Sequence, residues 1–167
     1  MGVGMSDQKA EAERLELLQR QETELQFEEF TNETAIALGS RMAEVARKEG
    51  KPLTLDICRN GQQLFHLALP GTSADNDFWI RRKNNVVNRY GHSSLYMGTL
   101  CRAQGTTFEE KSRLDRDQYA ASGGGFPVII RNVGVVGTVT VSGLPQVEDH
   151  EFVVRMLREF LSASRHP

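Results

Sequence analysis

Two alternating runs, LTLDICR at 53–59 and QQLFHLAL at 62–69, are separated by only Asn60 and Gly61. Both residues tolerate positive φ, as a tight two-residue turn requires, so the pair predicts an antiparallel hairpin. The turn also sets a register, with Arg59 opposite Gln62, Ile57 opposite Leu64 and Leu55 opposite His66. In that register Leu53, Leu55, Ile57, Leu64 and His66 share one face, while Asp56, Cys58, Phe65 and Leu67 share the other. Both faces are largely apolar. Such a sheet is covered by helices on both sides, or by helices on one side and a second subunit on the other.

The rest of the chain supplies those helices. Residues 7–24 carry a narrow apolar stripe (Leu15, Leu18, then Leu25) on an otherwise charged helix, and a short extended piece follows at 25–30. Thr31 can cap a second helix that Gly50 ends, with Ile36, Leu38, Met42, Ala43, Val45 and Ala46 on its inner side. A helix over 76–90 begins beside Asp75 and Asp77, where the dipole favours negative charge. Steps of about 100° per residue place Trp79, Ile80, Val86, Val87 and Tyr90 on one side of it, with Lys83 in their midst. Phe78, Arg81, Arg82, Asn85 and Arg89 fall on another side. Residues 94–103 read as a further apolar strand, and 106–122 as a polar excursion containing Tyr119. Two strands at 126–131 and 135–142 follow, the second with Thr138, Thr140 and Ser142 on one face. The last helix, over 146–163, turns Phe152, Val153, Met156, Leu157, Phe160 and Leu161 inward.

A chain of 167 residues with 39% apolar and 25% charged residues and a net charge of -2 has the composition of one ordinary globular domain, not of a nucleic-acid-coating protein. No apolar run reaches membrane-spanning length and the N-terminus lacks a secretory core, so the expected location is the cytoplasm, without membrane association. Met1-Gly2 with Ser6 matches a myristoylation pattern, against which Met5 stands as an alternative start. Cys58 and Cys101 are expected to be reduced thiols.

The Arg81, Arg82 and Arg89 face suits carboxylate or phosphate oxygens, because guanidinium groups bind them in a planar fork; the alternative is a solvated face paired with acidic side chains. Lys83 needs an anion or a ring for its ammonium, or must snorkel to the helix edge. His92, beside Tyr96, is either a helix-end hydrogen-bonding group or a ligand to iron. His66 is read as a core histidine. The predicted register puts Asp56 on the opposite face from His66, so no acid–base dyad is expected. Neither cysteine has an adjacent base, HSS at 92–94 lacks the glycines of a hydrolase elbow, and the glycine-rich segments match neither a P-loop nor a dinucleotide fingerprint. An enzyme is therefore the least supported class.

GGFPV at 124–128, GVVGTVTVSG at 134–143 and the acidic Asp149 at the head of the last helix together resemble the haem-degrading-domain family, also called GlcG/HbpS-like. The words LDICRNGQQLFHLALPGTSADNDFWIRRK, VVNRYGHSS and VVGTVTVSGLPQVEDH are similar to its cytosolic branch. The resemblance spans about 15–163 as one domain, leaving 1–14 as a helical or partly disordered extension. It implies an α/β (α+β), profilin-like three-layer α/β/α domain with a central antiparallel sheet, assembled as a dimer or larger homo-oligomer, and it brings haem forward as a ligand. It carries across no catalytic motif.

Two readings follow. One is an oligomeric ligand-binding protein, for haem or another anionic aromatic molecule, using Arg81, Arg82, Lys83, Arg89, His92 and Tyr96; no metal is expected unless His92 meets haem iron. The other is an interaction module without small-molecule chemistry, with Phe78, Trp79 and Tyr90 at an interface.

Overall fold

The computed structural model describes residues 4–165, so the Met1-Gly2 pattern lies outside the described residues. Its elements in chain order are α1 (Met5–Glu24), α2 (Asn32–Lys48), β1 (Thr54–Arg59), β2 (Gln62–Ala68), α3 (Ala74–Tyr90), α4 (Ser94–Ala103), α5 (Phe108–Ser112), β3 (Gly125–Ile130), β4 (Gly134–Ser142) and α6 (Gln146–Arg165). The strands form one antiparallel sheet in the order β2-β1-β4-β3. Helices α2 and α6 cover one face and α3 covers the other, which is the expected three-layer α/β/α arrangement. No described helix is long and apolar enough to cross a membrane.

Alternation along β1 and β4 explains the layers. Leu55 faces Val141 and Ile57 faces Val139 across the ladder, and these side chains enter the main core with Phe126, Leu38, Met42, Val153, Met156 and Leu157. Asp56, opposite Thr140, and Cys58, opposite Thr138, point to the other side, under α3. One side of the sheet is thus apolar, and the other is lined with hydroxyls and a carboxylate. Helix α2 is held at its start by a capping box in which Thr31 and Thr34 satisfy each other's backbone amides, as Thr31 predicts, and its end leads into Gly50 at φ 66°.

The Asn60-Gly61 turn forms with φ of 50° and 81°. The hairpin starts in the predicted register, with Arg59 opposite Gln62 and Cys58 opposite Gln63. A bulge then adds a residue to β2, so that Ile57 meets Phe65 and Asp56 meets His66. Every β2 side chain beyond the bulge changes face. Phe65 turns to the core, where a Cβ on Gly39 of α2 would sit 2.4 Å from its ring, and His66 turns to Asp56. Replacing Gly61 with Ala is expected to cost about 1 kcal/mol, measured by urea unfolding. No atom lies within 4 Å of the added methyl, so the cost comes from the left-handed backbone alone.

Three other expectations change. Residues 94–103 are helical, not a strand: Gly91 ends α3 in the left-handed region and Ser93 caps α4 by accepting from the Tyr96 amide at 3.1 Å. Apolar period alone does not separate a short buried helix from a strand. The 106–122 excursion contains α5, whose Phe108 joins Val86, Met97 and Cys101 in a second, smaller core between α3 and α4. Ile36 is 47% exposed instead of inward. Helix α1 runs without a break from Met5 and packs against α4. Besides Leu18 it is anchored by polar contacts, Glu11 to Arg102 at 3.3 Å, Gln21 to His150 at 2.8 Å and Glu22 to His92 at 2.8 Å.

Candidate functional site

Helix α3 is the element around which the polar residues of this chain gather. Ser73 caps it, and its inner side rests on the polar face of the sheet. There the Asp56 carboxylate, only 2% exposed, collects four partners. Oδ1 accepts from Gln63 Nε2 at 2.7 Å and lies 2.9 Å from His66 Nδ1, while Oδ2 accepts from Cys58 Sγ at 3.2 Å and Asn84 Nδ2 at 3.0 Å. His66 Nε2 lies 2.7 Å from Asp77 Oδ1, so the ring bridges β1 and α3. Thr140 donates to Asn84 Oδ1. The expected separation of Asp56 and His66 is therefore corrected: the β2 bulge puts them in contact. The arrangement is not nucleophilic, since burial, then the Asp56 charge, pushes the Cys58 thiol up to about 12. Sequence reasoning missed this network, although the Thr138, Thr140 and Ser142 stripe marked a polar sheet face.

Lys83, the misfit of the apolar side, is 3% exposed. It does not snorkel. Its Nζ donates to the Val141 carbonyl at 3.0 Å and to Asp149 Oδ2 at 3.1 Å.

The outer side of α3 is different. Arg82 lies 4.4 Å over the Trp79 ring, Arg81 5.1 Å over Phe78, and Arg89 5.9 Å from both Tyr90 and Tyr119. Among the described residues the arginines that form ion pairs are Arg41, Arg102, Arg131, Arg155 and Arg158. Arg81, Arg82 and Arg89 form none among the described residues; Arg81 and Arg89 are exposed, and Asp117 lines the same groove as Arg81 and Arg82. Arg82 also has a buried Nε with no partner. Phe78, Arg81, Arg82, Asn85, Asp117 and Gln118 line a groove of about 380 Å³, which the loop after α5 closes by hydrogen bonds from Asn85 Nδ2 to the Gln118 carbonyl (2.7 Å) and from the Ala120 amide to the Arg82 carbonyl (3.1 Å).

His92 sits past the C-terminal end of α3. Its Nδ1 is 2.8 Å from Glu22 Oε1 and its ring stacks on Tyr96 at 4.1 Å with a 12° tilt. Burial pushes the Glu22 carboxyl up, against the pull of His92. Glu22 fixes the ring, and Nε2 has no hydrogen bond among the described residues, the pattern of a carboxylate-oriented ligand histidine. The six predicted ligand residues thus divide. Arg81 and Arg82 share the groove, Arg89 lies further along the same side of the helix, and His92 with Tyr96 lies past the helix's C-terminal end. Lys83 is on the inner side, turned away from the others. The groove contains neither His92 nor Tyr96.

Comparison with known proteins places these features in a family. A profile described as haem degrading protein HbpS-like matches residues 30–158. A UPF0303 protein of Streptomyces coelicolor is 60% identical over 144 residues, covering 86% of this chain and 91% of its own. The crystal structure of the Ybr137w protein superposes with a TM-score of 0.83 at 36% identity, over 91% of this chain and 90% of that one. A crystal structure of a PduOC:heme complex superposes with a TM-score of 0.61 at 15% identity, over 75% of this chain and 90% of that one, and shares the fold.

Proposed function

We propose that this chain, which belongs to the HbpS-like family of haem-degrading proteins, binds a flat anionic ligand along the outer side of α3, with haem as the first ligand to test. The observation that carries this reading is the set of three guanidinium groups that form no ion pair among the described residues, each near an aromatic ring, with Arg81 and Arg82 lining the groove. Such groups attract carboxylates, and the rings offer π-faces to a planar molecule. Arg82 and Arg89 are seven residues apart and so lie on the same side of the helix. The donor set fits haem at the C-terminal end of α3: Arg89 would take a propionate while His92 would offer Nε2 to the iron, and Arg81 and Arg82 would add positive charge further along the same side. Haem bound there would supply the iron chemistry; the chain's own residues orient it. A relative of the same fold was crystallised with heme, which supports the choice of ligand.

Haemin titration followed at the Soret band tests the proposal. Saturable binding is expected, weakened about tenfold in Arg82→Ala, equivalent to about 1.4 kcal/mol. The band is expected to move in His92→Ala. Absence of a saturable change in the intact chain would exclude haem.

A second reading rests on Phe78, 55% exposed beside Arg81. An aromatic and arginine surface also suits the centre of a contact between copies of the chain. Light scattering distinguishes the two: in that reading Phe78→Ala reduces the assembly size whether or not haemin is present.

A further inference from the structure

A second cavity, of about 330 Å³, lies on the inner side of α3, where the starts of α3 and α6 meet. Its walls include the side chains of Asn76, Trp79, Ser122 and Ser142, and at its base is the Lys83–Asp149 pair. It shares no lining residue with the arginine groove, though the Trp79 in its wall carries Arg82 on its ring, and it does not depend on the function proposed above. Both ionic groups are almost wholly buried, and Lys83 Nζ has two protein acceptors for three N–H bonds. Gly124 keeps the space beside the amine open: a Cβ there would lie 2.7 Å from Nζ, and its φ of 132° disfavours any other residue.

We propose that Lys83 is an imine-forming lysine and that this cavity receives a short, uncharged hydroxyaldehyde. Asp149 Oδ2, 3.1 Å from Nζ, accepts the proton that must leave the ammonium. The freed nitrogen pair adds to the aldehyde carbon, the carbonyl π pair moves to oxygen, which takes the proton from Asp149, and the nitrogen, now carrying a positive charge, returns one of its protons to the carboxylate, which then gives it to the hydroxyl that leaves as water. The carbinolamine then loses water. In balance, one amine and one aldehyde give one imine and one water, with no change of oxidation state. Burial favours this chemistry from both sides, drawing the Lys83 ammonium below its usual range and the Asp149 carboxyl above its own. The walls select the substrate class. Two serine hydroxyls and an asparagine amide suit the hydroxyl groups of a small sugar-like molecule, and Trp79 suits its C–H face. Asp75 at the rim and Asp149 at the base disfavour a carboxylate.

Reductive trapping tests the proposal on the intact chain. The protein is incubated near neutral pH with glyceraldehyde and cyanoborohydride, and the modified lysines are located by peptide mass spectrometry. Lys83 is expected to be labelled several-fold faster than the exposed Lys9, Lys48 and Lys111, since burial holds its ammonium below the usual range and leaves more of the amine neutral. In Lys83→Arg the fast phase is expected to vanish while the slow surface labelling persists. With the anionic succinic semialdehyde, the preference for Lys83 is expected to shrink. Labelling of Lys83 no faster than the surface lysines would overturn the reactive-lysine assignment, and a greater preference with the anionic aldehyde would overturn the substrate class. Haemin binding is expected to be unchanged in Lys83→Arg, so failure here and failure of the haem reading are separable.

Discussion

Replacing Asp56 with Ala is expected to destabilise the fold by about 3–5 kcal/mol, because it removes a buried ion that organises donors from three elements. Gln63 and His66 on β2, Cys58 on β1 and Asn84 on α3 would all lose their acceptor in one step. His66 and Asn84 would then be polar groups held against the sheet without partners. In a domain of this size the melting temperature is expected to fall by about 10 °C, read by calorimetry or circular dichroism. Asp56→Asn is expected to cost less, since one oxygen remains an acceptor, but more than an ordinary surface change, since its NH₂ group would face donors. The exposed Arg41–Glu44 pair marks the opposite case: its side chains are 46% and 68% exposed, and solvent screening leaves such a pair little net effect. If Asp56→Ala melted within about 2 °C of the parent, the polar layer under α3 would not be what joins that helix to the sheet.

Asp56 also marks where sequence reasoning reaches and where it stops. The Asn60-Gly61 turn was legible because φ preference is local, and the first two hairpin pairs follow from it. The bulge at Leu64 was not, since nothing beside it demands an extra residue. It is settled by distant partners, with Phe65 fitting against the bare Gly39 of α2 and His66 meeting a carboxylate. A one-residue slip inverts every facing, so the expected separation of Asp56 and His66 became a contact. Lys83 shows the same division. Helix geometry identified it as a charge among apolar neighbours, but Asp149, 66 positions later, comes to it only through the crossing of β4 into α6. Arg81, Arg82 and Arg89 were legible as one face. That they lie over rings and not against carboxylates depends on side-chain placement, to which periodicity is blind. The strand expected at 94–103 failed for a related reason: its apolar run suits either element, and the Ser93 cap that starts the helix shows only in its hydrogen bond to the Tyr96 amide.

Acid is expected to weaken the fold through His150, which is 2% exposed at the start of α6. Its Nε2 lies 2.8 Å from Gln21 Oε1, which takes the one proton of a neutral ring, and its Nδ1 is buried with no partner. A second proton would place an N–H⁺ in that gap with no acceptor, on a ring whose centroid lies 6.0 Å from that of Phe126. Burial accordingly lowers the folded-state pKa from 6.5 to about 4. Between those values the unfolded chain binds more protons than the folded one. The stabilisation from a neutral His150 is therefore complete above pH 6.5 and is lost as pH falls towards about 4. At about 1.4 kcal/mol per pH unit across that interval, the loss is about 3 kcal/mol. Buried Glu22 and Asp149, whose carboxyls are pushed up mainly by desolvation, contribute with the opposite sign, so the absolute pH curve of the parent mixes these effects. A His150→Phe variant separates them. It keeps a ring beside Phe126, loses the Gln21 hydrogen bond at every pH, and cannot titrate. Urea unfolding of both proteins between pH 7 and pH 4 is expected to show the parent losing about 3 kcal/mol relative to the variant, whereas parallel curves would mean that His150 accepts its proton in the folded state as readily as in the unfolded chain.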